Sequence, residues 1–153
     1  MFFSTTTNGI DGKGRVSVPA DFRAVVSAER FGGIYVWCSF NGPFLEGGGE
    51  ALMGDMAAAI DAMDPYDDAR TAFERVIFGG ARPLSFDQTG RISLPREFIE
   101  HAGLEAKATF VGMGRRFEVW SPEAHAERHA RDLTFARDNK GALRRPARTG
   151  EGA

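Results

Sequence analysis

Asp11-Gly12-Lys13-Gly14-Arg15-Val16-Ser17-Val18-Pro19-Ala20-Asp21-Phe22 returns 76 residues later as Asp87-Gln88-Thr89-Gly90-Arg91-Ile92-Ser93-Leu94-Pro95-Arg96-Glu97-Phe98. Asp, Gly, Arg, Ser, Pro and Phe recur at matched positions, and Val16/Ile92, Val18/Leu94 and Asp21/Glu97 keep their character. A match of this quality marks an internal duplication, so the chain reads as two copies of one unit. Each copy opens with Asp and a Gly-containing turn, then alternates apolar and polar residues as a strand with one buried face does. Proline stops that strand and suits the first position of a short helix. Asp21 and Glu97 fall in the helix's first turn, where the backbone dipole favours acids. Phe22 and Phe98 anchor each helix inward, and Gly103 suits a left-handed cap on the second.

Working outward, a second strand pair follows each short helix. Ile34 to Phe40 with an Asn41-Gly42 turn serves the first copy; Thr109 to Met113, a turn near Gly114 and Phe117 to Trp120 serve the second. The fold class is therefore mainly β with short helices (α+β), arranged as a pseudo-twofold domain. Between the copies, Leu52, Met56, Ile60 and Met63 make one apolar stripe of a helix. Asp64-Pro65 breaks it, and Ala69, Phe73, Val76 and Ile77 make a second stripe that Gly79-Gly80 ends. Ser121-Pro122-Glu123 starts a last helix running to about Asp138. From Asn139 the chain is rich in Arg, Gly and Pro, the composition of a disordered tail. The expected organisation is a first repeat at 5–48, a helical spacer at 49–80, a second repeat at 81–124, a C-terminal helix at 125–138 and a tail at 139–153.

Composition narrows the function. The 153 residues are 42% hydrophobic, enough for a modest core. No apolar run approaches the ~18 residues that a membrane span requires. The start, Met1-Phe2-Phe3-Ser4-Thr5, lacks the charged and apolar regions of a secretory signal, so a cytoplasmic location is expected. The single Cys38, set in a strand pattern, reads as a buried thiol rather than a nucleophile. Net charge is −2, but unevenly spread: residues 1–80 carry six Lys/Arg against eleven Asp/Glu, and residues 81–153 carry thirteen against ten. Contact with nucleic acid would have to come from local cations multiplied by self-assembly.

At the duplicated motif the sequence resembles the MraZ family, whose members hold two AbrB-like swapped-hairpin β-barrel repeats, each marked by Asp-x-x-x-Arg. Both signatures stand here, Asp11 to Arg15 and Asp87 to Arg91. The resemblance implies a transcriptional regulator, a repressor of the division and cell-wall operon, with no enzymatic activity. It further implies binding to direct repeats in promoter double-stranded DNA, assembly into a homo-oligomeric ring, and association with the nucleoid. It places Lys13, Arg15 and Arg91 on the DNA-facing surface. Gln88-Thr89 stands where the first turn has Gly12-Lys13, so the second copy has one cation fewer. The chemistry agrees, because an Arg fork fits phosphate oxygens or guanine O6 and N7, and a β-ribbon enters the major groove.

Plainer readings exist for each residue. Arg15 and Arg91 alone would read as partners of Asp11 and Asp87 across their own hairpins; the duplication favours a further role for Arg15, with the Asp residues orienting the arginines. Gly14 and Gly90 serve turns with positive φ. Ser17 and Ser93 read as solvent-facing strand residues or as phosphate contacts. His101, His125 and His129 lack a companion ligand set, so no metal and no other cofactor is expected. Phe22, Phe40, Phe73, Phe98 and Phe110 read as core. Arg144, Arg145 and Arg148 in the tail serve equally as solvated residues or as a general attraction to DNA. An enzyme is disfavoured by the lack of a phosphate loop or nucleophile motif, and no membrane or small-molecule partner is expected. The competing binding function is an AbrB-like antitoxin, a class that usually carries one hairpin repeat and dimerises.

Overall fold

The computed structural model describes residues 1–144 and 146. The chain folds as two units, one of Met1–Pro122 and one from Glu123 onward. In the first unit a strand β1 (Thr5–Gly9) leads through the first Asp-containing turn to β2 (Arg15–Ser17), helix α1 (Ala20–Val26), and strands β3 (Gly33–Cys38) and β4 (Leu45–Gly48). Helices α2 (Glu50–Asp61) and α3 (Asp68–Phe73) follow, and a π-helical turn, Glu74–Phe78, continues α3. The second copy repeats the series as β5 (Arg82–Ser85), β6 (Arg91–Ser93), α4 (Arg96–His101), β7 (Lys107–Gly112) and β8 (Phe117–Trp120). Among the described residues, helix α5 (Pro122–Asp138) is followed by a 3-10 turn at Lys140–Ala142. None of the described helices is long and apolar enough to cross a membrane.

The two copies interleave. Six strands form one antiparallel sheet in the order β1-β7-β8-β4-β3-β5, which reads the same from either end once each strand is exchanged for its repeat mate. β1 of the first copy pairs with β7 of the second, and β3 of the first pairs with β5 of the second. β2 and β6 leave this sheet and form a two-stranded ribbon with each other. Alternation dictates the arrangement: Val16 and Ile92, opposite each other, are buried, while their neighbours face outward. One continuous core thus holds Val16, Val18 and Phe22 of one copy with Ile92, Leu94 and Phe98 of the other. Phe22 is its centre, with ring centroids 5.2 Å from Phe2, 5.3 Å from Phe117 and 6.2 Å from Phe110.

A second cluster packs the spacer on the sheet through Trp37, Leu52, Ile60 and Ile77. The N-terminus of α2 has Gly49 as its cap residue and no side chain of its own to satisfy the first amides. Glu29 supplies the acceptor, receiving the Glu50 N–H at 2.7 Å, and Glu50 in turn accepts the Phe31 N–H at 3.1 Å.

Several expectations need correction. Phe40 is not core: β3 ends at Cys38, so Phe40 falls in the following loop, 56% exposed, with its ring stacked 5.9 Å from Phe73. The second spacer stripe also fails in part. Ala69, in the first turn of α3, is exposed and Phe73 is half-buried; beyond them the π turn, in which the Gly79 N–H reaches the Glu74 carbonyl at 3.0 Å, rotates the face, so that Val76 is exposed and Ile77 buried. Pro19 and Pro95 cap their helices instead of opening them, each lying in extended backbone with ψ of 138° and 146°. Cys38 is half-buried; burial, and secondarily the Glu97 carboxylate, pushes its thiol pKa up, which disfavours the nucleophilic thiolate. The expected disordered tail begins with the ordered 3-10 turn; Arg144 is exposed, while Arg145 and Arg148 lie outside the described residues.

Candidate nucleic-acid interface

Each Asp-x-x-x-Arg segment closes on itself in the same way. In the first turn the Asp11 carboxylate accepts the Lys13 and Arg15 backbone N–H groups on Oδ1, both at 2.9 Å, and Arg15 Nε on Oδ2 at 2.7 Å. The backbone adds a bond from the Gly14 N–H to the Asp11 carbonyl at 3.0 Å, which requires φ of +78° at Gly14. In the second turn Asp87 accepts the Thr89 and Arg91 N–H groups at 2.9 and 3.0 Å, the Thr89 hydroxyl at 2.9 Å and Arg91 Nε at 2.9 Å. Gly90 has φ of +80° and donates to the Asp87 carbonyl at 3.1 Å. The aspartates therefore orient the arginines as well as pairing with them, since one carboxylate fixes both the turn amides and the guanidinium.

What the linear motif does not reveal is that the two turns are joined. In the β2–β6 ribbon Arg15 stands opposite Ser93 and Ser17 opposite Arg91, so all four occupy the outward face above buried Val16 and Ile92. Bonds from Val18 N–H to the Gly90 carbonyl, 3.1 Å, and from Leu94 N–H to the Gly14 carbonyl, 2.9 Å, stitch each turn to the strand of the other copy. Arg91 Nη1 also lies 3.9 Å from Asp11 Oδ2. Arg15 and Arg91 remain about one-third exposed, at 36% and 34% of their side chains, and Lys13 is exposed. Nε of each guanidinium holds its own aspartate, and the third of each side chain that stays exposed is left to meet a planar oxygen acceptor. Ser17 and Ser93 are exposed beside them.

The carboxylates have a pH signature. Hydrogen bonds from the Arg15 amide above all, with those from the Arg15 side chain and the Lys13 amide, hold Asp11 down to about 2 against the partly opposing effect of desolvation. Asp87 is lowered further, by the Arg91 amide first and then by Thr89. A carboxylate held below its unfolded value contributes stability above that value and loses it as pH falls through the folded one. The turns should therefore weaken as pH drops from 3.8 toward 2. A melting series over this window should show a steeper loss for the natural chain than for an Asp11→Asn, Asp87→Asn double variant; parallel curves would remove the aspartates from the account.

The remaining candidates lie elsewhere. His101 Nε2 is 3.0 Å from the Gly42 carbonyl oxygen, and His125 and His129 stack with centroids 5.8 Å apart on α5. Among the described residues no three His, Cys, Asp or Glu side chains gather as metal ligands. One cation at the ribbon escaped the sequence reading. Arg23 of α1 lies against the second turn, where a methyl group added to Gly90 would stand 2.6 Å from the guanidinium carbon. Its only trace in the sequence is an asymmetry of the repeat, Arg23 standing where the second copy has Ile99.

Comparison with known proteins places this architecture. The family described as "MraZ protein, putative antitoxin-like" matches residues 77–144. The transcriptional regulator MraZ of Rickettsia canadensis is 44% identical over 123 residues, covering 80% of this chain and 83% of the relative. The proteins of the same name from Rickettsia rickettsii and Rickettsia bellii are 45% identical over 123 residues and 42% identical over 137, the latter covering 90% of this chain and 91% of the relative. With both Asp-x-x-x-Arg turns built and joined in one ribbon, and with such similarity along most of its length, the chain belongs to the MraZ family of transcriptional regulators and is not an enzyme.

Proposed function

We propose that the chain binds promoter double-stranded DNA through the outward face of the β2–β6 ribbon, with Lys13, Arg15 and Arg91 as contacts and Asp11, Gly14, Asp87 and Gly90 as their support. The observation that carries this reading is the juxtaposition of two aspartate-oriented arginines on one exposed two-stranded ribbon. Such a ribbon fits the major groove, where a guanidinium fork takes guanine O6 and N7 or a phosphate oxygen. In this reading 5–48 and 81–124 are the two AbrB-like repeats, interleaved so that a single chain supplies both turns.

The ribbon is weakly charged, because Asp11 and Asp87 offset two of the three cations of its turn segments, Lys13, Arg15 and Arg91. One copy then neutralises few phosphates, and its binding fades with salt. Assembly into a homo-oligomeric ring supplies what one subunit lacks: subunits engaged on successive promoter direct repeats raise each other's effective concentration. The target is the division and cell-wall operon, which the protein represses in the cytoplasm at the nucleoid.

The test is fluorescence anisotropy with a duplex from upstream of the chain's own operon and a scrambled duplex of equal composition, at two salt concentrations, beside light scattering of the free protein. The expected result is a closed oligomer larger than a dimer that prefers the promoter duplex by on the order of 10³-fold or more. Equal binding to both duplexes by a folded oligomer would refute sequence-specific regulation through the ribbon. A dimer would favour the antitoxin-like reading that the family's description names.

A further inference from the structure

The two turns differ in where their cations come from. The first carries Lys13 at its tip; the second has Thr89 there, its hydroxyl donated to Asp87 at 2.9 Å. The helices after the turns show the opposite exchange, Arg23 on α1 against Ile99 on α4. Because the ribbon crosses the copies, each helix residue serves the turn of the other copy. Ile99 lies against Gly14, its Cδ1 3.3 Å from where a Cβ would stand, and the Arg23 guanidinium lies against Gly90 at 2.6 Å by the same measure. The turn that lacks a cation at its tip thus has one delivered by the helix of the other repeat.

Arg23 is held but not neutralised. Its Nε donates to the Val18 carbonyl at 3.2 Å, which fixes the guanidinium at the root of the turn. Among the described residues no carboxylate lies within ion-pairing distance of it. The two acids nearby are engaged: Asp87 receives Arg91 and Thr89, and Glu29 receives the first amides of α2. Arg23 borders an open groove of about 300 Å³, lined also by Arg30, Ser27, Gln88 and Gly90 and by those same two acids, Glu29 and Asp87.

We propose that Arg23 is a DNA-backbone contact, its terminal nitrogens taking a phosphate oxygen of the duplex engaged by the ribbon and supplying the cation absent from the second turn. This rests on the ribbon binding DNA as proposed above. A phosphate role follows from position, since Arg23 sits recessed at the flank of the turn and not on the outward face with Arg15 and Arg91. Contacts of that kind set affinity and register without reading sequence.

Anisotropy titrations across a salt series test this. Arg23→Gln keeps a donor for the Val18 carbonyl and removes the charge. It should weaken binding to promoter and scrambled duplexes alike, by about tenfold at 0.1 M salt, and flatten the log–log salt slope by about 0.9 for each engaged subunit. Melting temperature and oligomer size should not change. Adding Thr89→Lys to that variant returns a cation to the turn and should restore the slope, which a merely structural role for Arg23 would not allow. Should Arg23→Gln disturb assembly, Arg23→Met, which keeps the apolar stem against the turn, carries the same comparison. An unchanged slope in the Arg23 variant, alongside lost binding in Arg15→Ala, would overturn this inference alone. Failure of the natural chain to bind duplex DNA would overturn the ribbon reading and this one together.

Discussion

Arg15→Ala is expected to weaken binding of the promoter duplex by at least about a hundredfold. A bidentate contact to guanine contributes about 1–3 kcal/mol of discrimination, and the loss is repeated in every engaged subunit. Arg91→Ala should lose less. Arg91 faces two carboxylates, Asp87 at 2.9 Å and Asp11 at 3.9 Å, whereas Arg15 faces Asp11 at 2.7 Å and belongs to the turn that carries Lys13. On the outward face, away from the recessed Arg23, the local charge is therefore more positive at the first turn. Arg15→Lys separates the two parts of the role, retaining charge and losing the planar fork, and should bind scrambled duplex normally while losing preference for the promoter. The fold should survive each change, because Asp11 still receives the Lys13 and position-15 amides. Anisotropy beside a thermal melt checks this; wild-type affinity in Arg15→Ala would remove the turn from the interface.

Phe22→Ala should cause the largest loss of stability, about 3–5 kcal/mol. The ring is buried and meets Phe2, Phe117 and Phe110, so its removal leaves a cavity between the two copies and deletes edge contacts beyond the lost area. For a chain of this size the melting temperature should fall by roughly 10 °C or more. Phe98→Ala provides the control. Phe98 is equally buried and is the repeat mate, but it is outside the Phe2, Phe22, Phe110 and Phe117 ring cluster, so its loss should fall at the lower end of the range. Equal melting curves for the two variants would show that the aromatic cluster adds nothing to burial. Function should follow stability here, since α1 carries both Phe22 and Arg23 and follows directly on β2.

Much of this architecture is legible in the linear chain. The duplicated twelve-residue motif identifies two copies of one unit, and the alternation around Val16 and Ile92 shows which face of each strand is buried. Asp11, Gly14, Asp87 and Gly90 announce their turns, because an Asp that accepts amides two and four residues on and a glycine with positive φ are properties of a few consecutive residues. Local rules reach that far. They fail at Phe40, where a strand ends two residues early, and at Val76, where a π turn rotates a helix face that periodicity assumes to be regular.

Tertiary structure alone decided how the copies combine. Nothing in either motif states that β2 pairs with β6 and not with a strand of its own copy, since strand pairing is chosen by the burial of both apolar faces in one core, a long-range condition. That choice sets Arg15 and Arg91 on a single face. It also carries Arg23 across to the turn of the other copy, a contact between residues 67 positions apart that no spacing rule encodes. The chain by itself specified the turns, their arginines and the strand faces, because those depend on neighbours in sequence; the shared ribbon and the cation beside Gly90 depend on neighbours in space.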